Sequence, residues 1–204
     1  MEPGAHVELL TEGVAADGVA FRALFDGRPD EARERLREAA ALYRRSWELA
    51  PPRSYGRLVA YLKSAVLAGD GPDAAAYARN ALGGVCDSPT SCYALALAAL
   101  AAGDDAAAAD AAERMREGDG AFDRAAEALA ALAAGDGERY RRAVGAIVRD
   151  FEGRDAHLTG VPVADTAMLM EALARPRGLA AEPASPLMPP GGAGRGTRAA
   201  PGRA

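Results

Sequence analysis

The sequence predicts an all-α protein built from about four helix pairs. Three glycine-aspartate pairs, Gly69-Asp70, Gly103-Asp104 and Gly135-Asp136, each separate two runs rich in alanine and leucine, and they follow one another at steps of 34 and 32 residues. A period in the thirties with one helix pair in each period is typical of helical repeat arrays, whose neighbouring pairs share a core. The composition fits, because 50% of the residues are hydrophobic but only 5% are aromatic, and small side chains let helices pack closely.

The first pair is predicted on either side of a break at residues 26–30. Apolar residues of 5–25 recur at mostly helical spacing, although Gly13 and Gly18 lower the helical propensity of this segment. After the break, one predicted helix face carries Ala32, Leu36, Ala39, Tyr43 and Trp47. Pro51-Pro52 is expected to end this second helix.

The second and third helix pairs have clear start and stop signals in the sequence. The second pair is predicted to begin near Ser54 and to turn at residues 69–73, where Pro72 suits a first helical turn because it lacks the N–H that would be unsatisfied there. Gly83-Gly84 permits a left-handed helix end. Ser88 followed by Pro89 is a start signal for the third pair, an N-cap followed by a first-turn proline.

The fourth pair is predicted at residues 122–134 and 138–151, and its second helix carries the bulkiest apolar stripe of the chain. A single capping helix is expected from Val163 to Leu173. We therefore predict a helical-repeat domain at residues 1–175 and a tail at 176–204 that is rich in proline and glycine and mostly disordered. Within that tail, residues 185–188 could still dock as an apolar strip.

Charge and hydropathy exclude several function classes. A net charge of −5 and a pI near 5.2 do not suit a nucleic-acid binder, which needs clustered cations. No apolar run approaches the roughly 18 to 20 residues of a membrane span, and no secretory segment is recognisable after Met1. The expected location is therefore cytoplasmic.

No cofactor or metal site is predicted. Two cysteines and two histidines do not supply the four closely spaced ligands of a zinc site. We interpret Cys86 and Cys92 as reduced thiols that act as small apolar groups, and leave open whether they are ever oxidised. The carboxylates at residues 70, 73, 104 and 105 precede helices, where capping accounts for them.

A catalytic role is not predicted either. His157 lies close in sequence to Asp155 and Asp165, but no nucleophile with a recognisable setting accompanies it. Ordering of the surrounding loop is the simpler interpretation. A pocket near His157 that senses a small molecule or works as an enzyme is kept as an alternative function.

Residues 55–150 resemble tetratricopeptide-like repeats. The resemblance rests on the corners Gly69-Asp70 and Gly103-Asp104, on alanine five residues after each of these glycines, and on Ala81-Leu82. It implies a degenerate array of helix pairs, either an α-solenoid or a compact bundle. Four positions depart from the family pattern, namely Leu62, Ala78, Ala112 and Tyr140.

The same resemblance implies that the first helix of each pair lines an inner groove that binds a protein. The groove residues are then Val59, Lys63, Val66, Tyr93, Leu97, Leu100, Phe122 and Leu129. An open apolar groove of that size needs an occupant. Either the helix at 163–173 and the strip at 187–188 fold back into it, or a partner fills it. The predicted function is a non-catalytic scaffold or adaptor of the bacterial cytoplasm, monomeric or weakly dimeric.

A second, shorter resemblance concerns residues 149–189. A connection, a short leucine-rich helix, Arg177-Gly178-Leu179 and the segment 185–189 follow one another as at the C-terminal end of some all-α immunity proteins of bacterial polymorphic toxin systems. This likeness implies a non-enzymatic protein that neutralises one toxin. It stands as an alternative to the general scaffold.

Overall fold

The computed structural model describes residues 4–116 and 120–190. Within these residues the chain is entirely helical, with no strand, and the all-α prediction is confirmed. In chain order the helices are α1 (Ala5–Phe25), α2 (Pro29–Leu49), α3 (Tyr55–Ala68), α4 (Gly71–Leu82), α5 (Pro89–Ala102), α6 (Asp105–Met115), α7 (Gly120–Ala133), α8 (Gly137–Glu152) and α9 (Asp165–Ala174). One turn of 3-10 helix, Arg175–Arg177, follows α9.

Four corners of the chain share one hydrogen-bond pattern. Gly27, Gly69, Gly103 and Gly135 all have positive φ, between 68° and 94°. In each corner the glycine N–H binds the carbonyl three residues back, and the next N–H binds the carbonyl five residues back. This is the Schellman end of a helix, which favours glycine because a left-handed residue without Cβ is unstrained. The three predicted glycine-aspartate corners therefore lie at bends between helices.

Packing follows the order of the chain. Each of the helices α1 to α8 packs against the next one, and in addition α3 contacts α5 and α5 contacts α7. The helices α3, α5 and α7 thus form a row, which we call the inner row. Helix α9 returns to this row and contacts α3, α7 and α8.

The two glycines of α1 mark close approaches. Helix α1 continues through Gly13 and Gly18 without interruption. A Cβ on Gly13 would lie 2.7 Å from the Tyr43 ring, and one on Gly18 would lie 2.9 Å from the Thr159 carbonyl oxygen. These residues cost helical propensity, but they let α2 and the 153–164 connection pack directly on the α1 backbone.

The interpretation of the cysteines as reduced thiols is wrong for this structure. Cys86 and Cys92 form a disulfide, with their Cα atoms 4.5 Å apart. Gly83 and Gly84 both have positive φ, so the chain reverses after α4 and brings Cys86 onto the first turn of α5. Disulfides are rare in a reducing cytosol, and the cytoplasmic location stays a prediction.

The start of α5 is as the sequence predicts. The Ser88 side chain accepts the Ser91 N–H, and the Ser91 hydroxyl accepts the Ser88 N–H, which together make a capping box. From α6, Arg114 donates to the Cys86 carbonyl at 2.7 Å. The loop between the two cysteines is therefore held by the disulfide and by the hydrogen bond from Arg114.

Part of the predicted tail is packed on the helices. Leu179, Leu187 and Met188 contact the hydrophobic core, and Pro189 is buried. The Leu187 carbonyl accepts the Ala164 N–H at 2.9 Å. We call residues 161–190, which comprise α9 and this strip, the C-terminal segment. The rest of the predicted disordered tail, 191–204, lies outside the described residues.

Candidate functional site

The eight predicted groove residues all lie on the inner row, but they differ in exposure. Five of them are buried, namely Val66, Tyr93, Leu97, Leu100 and Leu129, and three are partly exposed, namely Val59, Lys63 and Phe122. Helix α9 contacts α3 and α7 on this side of the molecule. The chain's own C-terminal segment thus covers much of the surface that the sequence assigned to a partner.

The first anchor of the C-terminal segment is an ion pair. Lys63 on α3 donates to an Asp165 carboxylate oxygen at 2.7 Å, where α9 begins. The two side chains are only 19% and 16% exposed. Burial alone would lower the pKa of Lys63, but Asp165, together with Tyr93 and Asp17, outweighs burial and the pKa is raised. Lys63 is therefore held as a cation.

The second anchor is the buried carboxylate of Glu171, in the middle of α9. It accepts the Tyr140 hydroxyl of α8 at 2.7 Å, and the backbone N–H groups of Ala181 and Glu182 at 3.1 and 2.9 Å. Burial, followed by the bond to Glu171, raises the pKa of Tyr140. One side chain thus ties α8 to the strip that follows α9.

The third anchor is Arg177, in the 3-10 turn. Its guanidinium donates to the Leu100 carbonyl of α5 at 2.8 Å and to Asp105, at the start of α6, at 2.8 Å. It also donates to the Leu173 carbonyl of α9 at 3.0 Å. Carbonyls at helix C-termini lack intrahelical partners, so a cation here stabilises the end of α5 and the end of α9 together.

A second polar cluster lies beneath the Lys63-Asp165 pair. Asp17 of α1 is 6% exposed and accepts the Tyr43 hydroxyl of α2 at 2.8 Å and the Ser64 hydroxyl of α3 at 2.9 Å. Burial raises the pKa of Asp17 to about 6, opposed by these two hydrogen bonds and by Lys63 and reinforced by Asp165. One carboxylate therefore joins the first three helices.

Tyr93, on α5, adds an unsatisfied group to this region. Its ring meets Phe122 of α7 edge to face, with centroids 6.3 Å apart. Its hydroxyl is buried and has no hydrogen-bond partner among the described residues. Burial raises the pKa of Tyr93 to about 12, opposed by Lys63 and by the nearby Thr166 side chain and reinforced by Asp165. The phenol therefore stays neutral and is a potential donor.

The chemistry of the cluster is that of a structural junction. A nucleophilic lysine needs a lowered pKa, whereas Asp165 keeps Lys63 charged. The Ser64 hydroxyl donates to Asp17, and the Ala60 carbonyl lies 3.2 Å away as a second acceptor. Neither group is prepared to attack a substrate.

The residues that lie near His157 in sequence have separate surroundings, unlike those of the Asp17 cluster. The His157 ring stacks on Phe151 at 6.2 Å, and its Nδ1 is buried without a partner among the described residues. Asp165 pairs with Lys63, and Asp155 is exposed. Pockets of about 420, 600 and 410 Å³ are lined by residues of other regions.

Two buried residues that the sequence analysis does not predict, Asp17 and Glu171, could have been found by their helical spacing. Asp17 falls between Val14 and Phe21 in the apolar stripe of α1, and Glu171 lies four residues after Ala167 in that of α9. A carboxylate within an apolar stripe is expected either to face solvent or to have buried donors. Which of the two applies depends on tyrosines 26 and 31 residues away in sequence.

Comparison with known proteins gives no identification. No family model, curated protein or solved structure matches this chain. Among the described residues, no helix has both the length and the apolar character needed to cross a bilayer, and no three histidine, cysteine or acidic side chains come together as a metal site. The function has therefore to be inferred from the residues themselves.

Proposed function

We propose that this protein is a non-catalytic scaffold with a degenerate tetratricopeptide-like array of helix pairs, and that it binds a protein partner. The four alike corners and the inner row of α3, α5 and α7 support this proposal. Stacked helix pairs of this kind offer extended surfaces for binding. The partner surface is the part of the inner row that stays partly exposed, with Val59, Lys63 and Phe122.

The aromatic pair of Tyr93 and Phe122 carries the proposal. Tyr93 is buried in the inner row, and its ring meets the partly exposed ring of Phe122 edge to face. A partner that covers Phe122 would bury this aromatic contact, and buried aromatic residues supply much of the binding energy of protein interfaces.

Affinity capture with matched variants tests the proposal. Full-length protein, Phe122→Glu and Leu49→Glu are used as baits in the same native lysate. Leu49 is 58% exposed on α2, outside the inner row, and serves as the control. We expect a protein that is retained by wild type and Leu49→Glu and lost by Phe122→Glu, with both variants folded by thermal unfolding. Identical capture by all three baits would contradict the proposed surface.

Neutralisation of a toxin is a more specific form of the same binding function. It predicts that the captured protein is a toxin and that the two purified chains form a tight one-to-one complex. A partner without toxic activity would contradict the immunity role, and the general scaffold function would remain as the proposal.

A further inference from the structure

The loop that the disulfide closes is short, and hydrogen bonds within it do not need the disulfide. Cys86 and Cys92 are six positions apart in sequence. Between them the capping box joins Ser88 to Ser91, and the Asp87 N–H donates to the Ser91 hydroxyl at 3.0 Å. Because these bonds involve no sulfur, we expect the loop to keep its conformation when the two cysteines are reduced.

Two arginines hold the same loop from other parts of the chain. Arg114 of α6 donates to the Cys86 carbonyl at 2.7 Å, and Arg53, which precedes α3, pairs with the Asp87 carboxylate at 3.0 Å. A disulfide stabilises a protein mainly by restricting the unfolded chain, and it does so least when the loop is short. The bond between the sulfurs can therefore open without loss of the surrounding fold.

The two cysteines differ in their access to solvent. Cys86 is 9% exposed and Cys92 is 2% exposed. The neighbours of Cys86 in sequence, Val85 and Asp87, are exposed, whereas Cys92 lies within α5 between two buried residues. Exchange begins when a thiolate reaches one sulfur of the disulfide. An external thiol therefore attacks Cys86, and Cys92 is the leaving group.

We propose that Cys86 and Cys92 form a reversible redox site that exchanges with small thiols of the glutathione class. A glutathione thiolate attacks Cys86 Sγ, the bond to Cys92 breaks, and Cys92 leaves as a thiolate that takes up a proton. A second glutathione thiolate attacks the glutathione sulfur of this mixed disulfide. That step releases the Cys86 thiolate, which is protonated, and forms oxidised glutathione.

Two electrons and two protons thus pass from two glutathione molecules to the protein disulfide. The disulfides that occur in the cytosol of mesophiles are usually transient and either catalytic or redox-sensing. A reversible site is therefore compatible with the cytoplasmic location that the sequence predicts. This proposal needs no protein partner, so it can fail or succeed independently of the scaffold function.

Equilibration of the full-length protein with reduced and oxidised glutathione at pH 7 tests the proposal. Free thiols are trapped by alkylation and counted from the mass of the intact chain. We expect chains with no alkyl group and chains with two to interconvert as the glutathione ratio changes, with the same curve from a reduced and from an oxidised start. A chain that gains no alkyl group in excess reduced glutathione, although it gains two in urea, would overturn the proposal.

The reduction should also take place in the folded protein. We expect its rate to stay constant as urea is added below the unfolding transition, because the native loop is attacked directly. A rate that rises with the slope of equilibrium unfolding would mean that only unfolded chains react, and would overturn the proposal. The reduced protein should keep its helical circular dichroism spectrum and lose less than about 10 °C in Tm. Loss of helix on reduction would also overturn it.

Two single-cysteine variants test which sulfur is attacked. Cys92→Ser keeps the more exposed thiol and should form a mixed disulfide with oxidised glutathione at least about tenfold faster than Cys86→Ser, because access limits the exchange. In Cys92→Ser this mixed disulfide should persist, whereas wild type has Cys92 to displace the glutathione. Equal rates for the two variants would overturn the attack at Cys86. Should either variant fail to fold, the wild-type equilibrium and its urea dependence decide.

Discussion

Two buried carboxylates, Asp17 and Glu171, differ in the groups that satisfy them. Asp17 is 6% exposed and Glu171 2%, and each accepts a hydrogen bond from a tyrosine hydroxyl. The further donor to Asp17 is the Ser64 hydroxyl, which can rotate. The further donors to Glu171 are two backbone N–H groups, which cannot turn to another acceptor.

This difference assigns the two carboxylates different roles. Rotating hydroxyls can serve a charged or a protonated Asp17, so this site tolerates a change in protonation. Fixed N–H donors cannot turn to another acceptor, so Glu171 works as a clamp between α9 and the strip that follows it. We expect substitutions at the two sites to differ in the size of their effect, and the Asp17 site to add a pH dependence.

The largest effect is expected for Glu171→Ala. It leaves the Tyr140 hydroxyl and the Ala181 and Glu182 N–H groups without an acceptor, at about 1–3 kcal/mol for each unsatisfied group. We expect the free energy of unfolding, measured with urea, to fall by about 4 kcal/mol. Tyr140→Phe is the matched control, because it removes one donor and leaves the carboxylate with two, and it should cost about 1 kcal/mol. Equal losses would contradict the clamp.

The next effect is the pH dependence that Asp17 causes. Because burial raises its pKa from 3.8 to about 6, the folded state binds more protons than the unfolded state between these values. Stability therefore falls as pH rises from about 4 to about 6, by about 3 kcal/mol at most. Asparagine does not titrate. We therefore expect the free energy of unfolding of Asp17→Asn, measured relative to wild type at the same pH, to rise by about 3 kcal/mol between pH 3.5 and pH 7.5.

The comparison with wild type at each pH is essential for this measurement. Two arginines, Arg139 and Arg116, lower the pKa of Glu127 to about 2, which makes the whole protein less stable in acid and opposes the Asp17 effect. Asp30→Asn, at an exposed position, is the control and should show no such gain. A pH-independent difference between Asp17→Asn and wild type would show that Asp17 does not titrate in this range.

A smaller effect is expected for Lys63→Met. It leaves the partly buried Asp165 unpaired and removes a cation that lowers the pKa of Asp17. We expect a loss of about 2 kcal/mol at pH 7, between the values for exposed and buried pairs. Combining Lys63→Met with Asp165→Leu should recover most of it, since the lone charge is gone. A strictly additive double variant would mean that the pair does not interact.

The smallest effect is expected for Tyr93→Phe. The lost hydroxyl is buried without a partner, so the free energy of unfolding of the isolated protein should stay within about 0.5 kcal/mol of wild type or increase. Tyr43→Phe provides the contrast, because it removes a donor from Asp17 and should cost about 1–2 kcal/mol at pH 7. A large loss for Tyr93→Phe would reveal a hydrogen bond of this hydroxyl inside the protein, for which Thr166 is the nearest candidate.

Local sequence signals predicted most of the fold. The corners at Gly69, Gly103 and Gly135 and the cap at Ser88 depend on residues within one turn of each other, so the chain shows them directly. Helix boundaries agree within a few residues for the same reason; α9 was predicted at 163–173 and spans Asp165–Ala174. The pairing of Cys86 with Cys92 was missed because it depends on how the loop between them turns.

Contacts between distant residues could not be predicted. Asp165 meets Lys63 across 102 positions, and Arg177 meets Leu100 across 77. Helical periodicity places each of these residues on a helix face, but it does not say which face of another helix will lie opposite. For that reason the sequence predicted the groove residues of the inner row. It did not predict the ion pair and hydrogen bonds that hold the C-terminal segment on this row.

The position of the C-terminal segment has a consequence for synthesis. A ribosome completes the inner row before it translates residues 161–190, and at about 5–20 residues per second these thirty positions take roughly 2 to 6 s. During that interval the nascent protein presents the side of α3 and α7 that α9 later contacts without its cover. Truncated translation products that lack residues 161–190 would expose this apolar surface, and chaperones and proteases would bind them.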